Sequence, residues 1–264
     1  MNDTNQKAAK DQLRERERGA AQEKYLRLKA AYEELASRHA ELQGSYYLSG
    51  VQKKIDVAAL PGFADVAARV KAEGRSGMHL DRLYTLWQAV QQAPAGPIVE
   101  VGAYQGGSAK FIAESLLTRG MAPRFFVCDT FSGHARTDDV FDTVTHREGG
   151  KFRNTSPESV AAYLAPHQNV ELVVGDIIDT APRSLAQEPA FALVHIDVDV
   201  YPPTEFCLRF FAPRLARGAL LVVDDYGFIT CPGAKKAVDD FVAAHPEFGM
   251  WHLLSGQAVV YRIG

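Results

Sequence analysis

From Pro97 onward, short apolar runs alternate with segments of helical period. The runs are rich in Val, Leu, Ile and Phe and lack polar alternation, as strands buried on both faces do. Strands are expected at residues 98–102, 125–129, 170–175, 192–197 and 220–224, and helices at about 108–117, 157–164, 204–215 and 234–245. Ser156-Pro157-Glu158 is a helix start, with serine as N-cap and proline at the first helical position. Strands separated by helices read as an α/β fold with a parallel sheet and crossover connections. Residues 251–254 and 258–262 flank Ser255-Gly256 and predict a terminal antiparallel hairpin, which makes the sheet seven-stranded.

Upstream the pattern differs. Residues 1–45 are rich in Arg, Lys, Glu, Gln and Ala, and Tyr25, Leu28, Tyr32, Leu35, His39 and Leu42 recur at spacings of three and four. This is a narrow a/d seam, read either as a solvated helix or as a self-associating coiled coil over residues 25–42 that makes the protein a homo-oligomer. Residues 46–95 form a helical lead-in. Pro61-Gly62 interrupts it, a short helix is expected at 63–70, and Leu80, Leu83, Leu86, Trp87 and Val90 give a helical face that packs on the sheet. The third part, residues 96–264, is the sheet domain.

Composition narrows the function classes. Hydrophobic residues are 47% and charged residues 23% of the 264, which suits a globular core. A net charge of −3 gives no electrostatic pull toward nucleic acid. Cys128, Cys207 and Cys231 have no paired spacing, which argues against a disulfide framework and a zinc site. No apolar leader or membrane-length run is present, so a cytoplasmic protein is expected.

The chemistry gathers at strand ends. The runs ending in Asp197-Val-Asp199 and Asp224-Asp225 place four carboxylates at the carboxyl edge of the sheet, where open α/β folds bind ligands. Such a group repels itself unless a cation, a proton or a substrate balances it. A hard divalent ion on oxygen ligands, with one carboxylate spare for proton transfer, meets that need. Residues 131–155 form a long polar connection after a strand, expected to lie over the same edge and shape substrate choice.

In Ile98-Val-Glu100-Val-Gly102-Ala-Tyr-Gln-Gly106-Gly107-Ser108 a strand runs into a glycine-rich turn and a helix start, which suits close approach of an anionic ligand. The dinucleotide fingerprint fits poorly, because its third position is Tyr104. The turn resembles the cofactor loop of class I S-adenosylmethionine (SAM) methyltransferases. With Cys128-Asp-Thr-Phe-Ser-Gly133, His195-Ile-Asp-Val-Asp-Val-Tyr201, Val223-Asp-Asp-Tyr-Gly227 and Gly233-Ala-Lys-Lys-Ala-Val-Asp-Asp-Phe241, the chain over about 78–241 is similar to the macrocin O-methyltransferase family. Those enzymes methylate sugar hydroxyls on natural products with SAM and Mg²⁺.

The resemblance implies a Rossmann-like sheet and a set of site residues. Glu100, Gly102, Ala103 and Tyr104 would line the methionine portion of SAM, and Ser108 would receive its carboxylate. Asp129, followed by Thr130, Phe131 and Ser132, would serve the ribose, while Gly175, Asp176 and Ile177 would meet the adenine. Asp197 would contribute to both cofactor and metal, with Asp224 and Asp225 completing the Mg²⁺ ligands and Asp199 as general base. The acceptor would be a small molecule or glycan bearing a sugar hydroxyl. Val200 stands where catechol-type relatives carry a lysine, which favours a carboxylate base.

Several positions keep two readings. Asp176 is an adenine contact or a turn residue, and Asp224 a ligand or a strand cap. His195 is packed, cofactor-adjacent or a base, and Tyr201 and Tyr226 line a substrate pocket or simply pack. His134, Arg136, Asp138 and Asp139 are candidate sugar contacts. At the level of function, a nucleotide-binding oxidoreductase and a non-catalytic SAM-binding scaffold stand as alternatives to the methyltransferase.

Overall fold

The computed structural model divides into two compact units, Met1–Asp56 and Val57–Gly264. It describes Gly62 to Ile263 except Gly149 and, upstream, Lys24, Tyr25, Arg27, Leu28, Lys29, Ala31, Glu34 and Leu35, all helical. Of the six seam positions, Tyr25, Leu28 and Leu35 are exposed. Tyr32, His39 and Leu42 lie outside the described residues, as does the lead-in before Gly62.

The second unit begins with α1 (Phe63–Ala72) and α2 (Leu80–Gln92) and continues as β1 (Ile98–Val101), α3 (Gly107–Thr118), β2 (Phe125–Asp129), α4 (Val144–Glu148) and α5 (Pro157–Leu164). Then come β3 (Val170–Val174), α6 (Ile177–Ser184), β4 (Phe191–Ile196), α7 (Tyr201–Phe211), β5 (Leu215–Val223), α8 (Pro232–Ala244), β6 (Phe248–His252) and β7 (Ala258–Arg262). The seven strands run in the order β3-β2-β1-β4-β5-β7-β6. β1 to β5 are mutually parallel, and β7 pairs antiparallel with both β5 and β6. The expected α/β sheet and closing hairpin are therefore present.

Each face of the sheet is covered by helices. Adjacent strand residues supply opposite faces, so Phe125 packs with Phe63, Leu83, Leu86 and Phe111, while Phe126 packs with Leu208, Phe211, Val238 and Phe241. At the start of α5, Ser156 Oγ accepts from the Ser159 N–H at 3.2 Å, with Pro157 in the first turn, as expected.

Other boundaries move for identifiable reasons. α7 starts at Tyr201 rather than near 204, because Pro202 and Pro203 fall in the first turn, where a missing N–H costs nothing. It ends at Phe211, and a 3-10 turn at Ala212–Arg214 feeds β5 five residues earlier than expected. α6 was not anticipated from a segment holding Pro182, but Asp176 caps it, its carboxylate accepting from the Ile178 N–H at 2.9 Å. The 131–155 connection contains α4 and buries Asp142 and His146. Among the described residues no helix is long and apolar enough to cross a membrane, and the three cysteines are buried and unpaired.

Candidate active site

The strand order reverses at β1, with β2 and β3 on one side and β4 and β5 on the other. Loops leaving β1 and β4 must diverge there, which opens a crevice beyond their carboxyl ends. A cleft of about 350 Å³ occupies it, walled by Gly102, Ala103, Tyr104, Ser108, Asp129, Thr130, Gly175, Asp176, Ile177, Asp197, Asp199 and Asp225. All twelve were expected from the sequence. Glu100, Phe131, Ser132 and Asp224 are not in its wall.

The geometry explains the glycine-rich turn. Gly102 has φ +91°, and a Cβ there would lie 1.8 Å from the carbonyl oxygen of Asp197. Only glycine lets the turn after β1 cross so close to β4. A Cβ on Gly107 would meet the backbone of Arg75 and Ser76 at 2.6 Å, so the segment before α2 crosses the start of α3. Arg75 to Met78 and Arg82 accordingly line the cleft, a contribution that no sequence motif announced.

Asp129 is engaged by its neighbours. Its carboxylate accepts from the N–H groups of Ala103 and Tyr104, both at 2.7 Å, and of Phe131 at 2.6 Å. A carboxylate has about four lone-pair positions, so one remains for a ligand hydroxyl. Asp176 caps α6 and also pairs with Arg136 Nε at 3.0 Å, while Arg136 Nη2 reaches Asp179 at 2.6 Å. The turn reading of Asp176 and its place in the cleft wall thus hold together.

Beneath the cleft lies a buried polar network. Glu100 and His195 are fully buried and joined through Glu100 Oε1 and His195 Nδ1 at 2.9 Å. Asp224 is fully buried too, its Oδ1 accepting from Gln257 Nε2 at 2.7 Å, and its Oδ2 contacts the Arg82 guanidinium. Arg82 Nη2 stands 3.8 Å from Asp197 Oδ1. His195 is thereby a packed member of this network, and Glu100 orients it instead of facing the cleft.

The four acidic residues fall into two neighbouring groups. Ligand atoms of His195, Asp197 and Asp224 lie within 4.8 Å of one another, as do those of Asp199, Asp225 and Cys231. The Asp199 N–H donates to Asp225 Oδ2 at 2.9 Å, and Cys231 Sγ donates to Asp199 Oδ1 at 3.4 Å. Asp199 sits at φ +61°, a left-handed conformation that Asp tolerates better than most residues. Burial and the Asp225 charge push Asp197 up to about 7, and burial and Asp197 push Asp199 up to about 6. Asp225 is likewise raised, by burial and Asp199. The group is short of positive charge.

The 131–155 segment closes over Asp199. His134 Nε2 and His146 Nε2 approach its carboxylate at 3.8 and 3.9 Å. His134 packs edge-on to His146 and Phe152, and Phe152 to Tyr104. Of the candidate sugar contacts, His134 and Arg136 line the cleft, whereas Asp138 and Asp139 do not. Tyr201 packs against Phe141 with the rings tilted, and Tyr226 Oη donates to Asp239 at 2.7 Å, so both tyrosines pack.

Sheet order, glycine turn and cleft together define the class: this is a class I methyltransferase α/β fold. Residues 61–261 match the family described as Macrocin-O-methyltransferase (TylF), and the chain belongs to that family. Among curated relatives, an 8-demethyl-8-(2,3-dimethoxy-alpha-L-rhamnosyl)-tetracenomycin-C 4'-O-methyltransferase of Streptomyces olivaceus is 29% identical over 173 residues, covering 61% of this chain and 64% of the relative. The match thus spans under two thirds of that relative's length. A demethyldecarbamoylnovobiocin O-methyltransferase of Streptomyces niveus is 26% identical over 188 residues, 65% of this chain and 69% of the relative. The solved structure of the O-methyltransferase NovP shares the fold with a TM-score of 0.61 at 22% identity, covering 71% of this chain and 81% of that one.

Proposed function

We propose that this protein transfers a methyl group from SAM to a hydroxyl of a sugar or sugar-like acceptor, with a divalent cation at the aspartates and Asp199 as the proton acceptor. The carrying observation is the approach of Gly102 to the Asp197 carbonyl, which sets a cofactor-type turn against Asp197, Asp199 and Asp225 in one cleft. Family membership and the O-methyltransferase names of both curated relatives, one of which names a rhamnosyl group, support the reading.

The residues suit both groups. For SAM the cleft offers the bare backbone of Gly102, Ser108 at the N-terminus of α3, and an Asp129 carboxylate with spare acceptor capacity. For Mg²⁺, Asp197, Asp224 and Asp225 offer oxygen donors, and Asp224 Oδ2 is buried without a hydrogen bond. That oxygen also touches Arg82, so guanidinium and cation compete for it. When bound, SAM supplies an electrophilic methyl group, and Mg²⁺ supplies charge that lowers the pKa of an alcohol. The chain's own part is orientation and proton removal. Ser108 holds the methionine end of the cofactor and Asp129 its ribose, the 131–155 segment excludes water, and a carboxylate oxygen of Asp199 takes the hydroxyl proton.

Purified protein incubated with methyl-labelled SAM, Mg²⁺ and a panel of rhamnosylated aglycones and nucleotide sugars tests the proposal. Label in an acceptor hydroxyl is expected. SAM binding without transfer to any sugar, or transfer indifferent to chelator, overturns the acceptor or the metal respectively. The exposed stripe of Tyr25, Leu28 and Leu35 supports self-association of the arm. A truncation beginning near residue 50 then has a lower oligomer mass in light scattering, and an unchanged mass removes that part.

A further inference from the structure

Asp199 is enclosed by two histidines that the reaction proposed above does not use. His134 and His146 come from the 131–155 segment, Asp199 from the turn after β4, and their ligand atoms all lie within 4.8 Å of one another. We propose that His134, His146 and Asp199 form a seat for a divalent transition ion of the Zn²⁺ or Co²⁺ type, apart from the oxygen-only donors at Asp197, Asp224 and Asp225.

Three observations carry this. First, His134 Nε2 is buried, its side chain only 10% exposed, and it has no hydrogen-bond partner. Ring packing against Phe152 and His146 accounts for the faces of this imidazole but leaves its nitrogen directed at Asp199. Second, both imidazoles stand 3.8 to 3.9 Å from the carboxylate, too far for a hydrogen bond. An ion bound at about 2.0–2.2 Å spans ligand pairs up to about 4 Å apart. Third, His146 is oriented from behind, since Thr143 Oγ1 meets its Nδ1 at 3.1 Å and leaves Nε2 for the ion.

The donor set decides the kind of ion. Two imidazole nitrogens and one carboxylate suit Zn²⁺, Co²⁺ or Fe²⁺ and are poor ligands for Mg²⁺. Burial holds both histidines neutral, the form that ligates. Asp199 and Asp225 favour a cation here, and Lys151, whose charge also acts on both rings, opposes one. An ion so held would tie the 131–155 segment to the end of β4. It would also engage the carboxylate to which the proposed function gives the proton, so occupancy should slow methyl transfer; that clause alone rests on the functional reading.

The test is Co²⁺ titration of the untagged, chelator-stripped full chain in excess Mg²⁺, read by visible d–d absorption. One Co²⁺ per chain is expected, with the intensity of a four- or five-coordinate N/O site and no displacement by Mg²⁺. His134→Gln and His146→Gln should each weaken Co²⁺ at least about ten-fold. Because Nε2 of His134 has no hydrogen-bond partner, His134→Gln gives up only ring packing and should remain folded, so it decides the matter even where His146→Gln is unstable. Absence of the band, its loss to Mg²⁺, or wild-type affinity in His134→Gln overturns the proposal. Neither SAM binding nor transfer is read, so a wrong acceptor leaves the outcome interpretable.

Discussion

Asp142 holds the start of α7 from 59 positions upstream: its Oδ1 accepts the backbone N–H of Tyr201 at 2.8 Å. Its Oδ2 accepts the N–H of Asp138 at 2.7 Å, and the residue is 5% exposed. A Cβ on Gly233, at the start of α8, would stand 1.9 Å from Asp142 Oδ1. One carboxylate thus pins the 131–155 segment where α7 and α8 begin, and burial raises its pKa.

Asp142→Ala should therefore loosen that segment while leaving the sheet intact. Stranding the Tyr201 N–H costs about 1–3 kcal/mol. Hydrogen exchange should accelerate over residues 138–148 and at Tyr201 but not in β1 or β4. Uniform acceleration across the sheet would contradict a local anchor.

Asp199→Asn keeps a side chain tolerant of the left-handed backbone at φ +61° and removes the charge. Under the proposed function, kcat should fall by about 10²–10⁴, with SAM affinity changed less than about two-fold. Single-turnover kinetics beside calorimetric SAM binding separate the two. Full turnover in this variant would remove Asp199 as the proton acceptor.

Arg82→Gln leaves the buried Asp224 charge without its guanidinium. Removing one partner of a buried pair costs about 3–5 kcal/mol. Added Mg²⁺ should raise the thermal stability of the variant by more than it raises that of the wild type, because the cation then also replaces the lost charge. A variant that gains no more from Mg²⁺ than the wild type would show that Asp224 is not open to a cation.

His134 and His146 give a pH dependence. Burial, with help from Lys151, lowers each from its usual 6.5 to about 4. Between those values the unfolded chain binds protons that the folded chain refuses, so the histidine contribution to stability falls as pH drops from 6.5 toward 4, while the raised carboxyls of Asp197, Asp199 and Asp225 take up protons on folding and act in the opposite sense. The ceiling is about 1.4 kcal/mol per pH unit per histidine. Denaturant unfolding at pH 7 and pH 5 reads the slope, and His146→Gln should gain stability relative to the wild type between the first pH and the second, because its share of the loss is removed. An equal slope in the variant would place the titration elsewhere.

The central sheet was legible because β1, β2 and β4 are buried on both faces and read as unbroken apolar runs, and because β1 to β5 each end in or run into glycine or aspartate where ligands gather. Gly102 was therefore identifiable from local pattern, and Asp129 from the family resemblance. Arg82 was not: it lies off the apolar stripe of Leu83, Leu86 and Val90, and nothing nearby marks it for Asp224. Gln257 was equally silent, since a glutamine at a hairpin turn reads as solvated until the turn is seen to meet a buried acid. Glu100 was assigned to the ligand on the family resemblance, but its fully buried side chain meets His195 and does not line the cleft. The short helix α4 escaped because five residues carry too little period to register.

Gln257 also bears on how the molecule matures. Its amide satisfies an acid 33 positions earlier, from a turn next to the strand that slots between β5 and β6. While a nascent chain is still being made, the β1–β5 part of the sheet can assemble with Asp224 paired to Arg82 but with its Oδ1 still lacking the Gln257 donor. Affinity for a ligand at those aspartates should then be acquired abruptly, once β7 has left the ribosome and inserted.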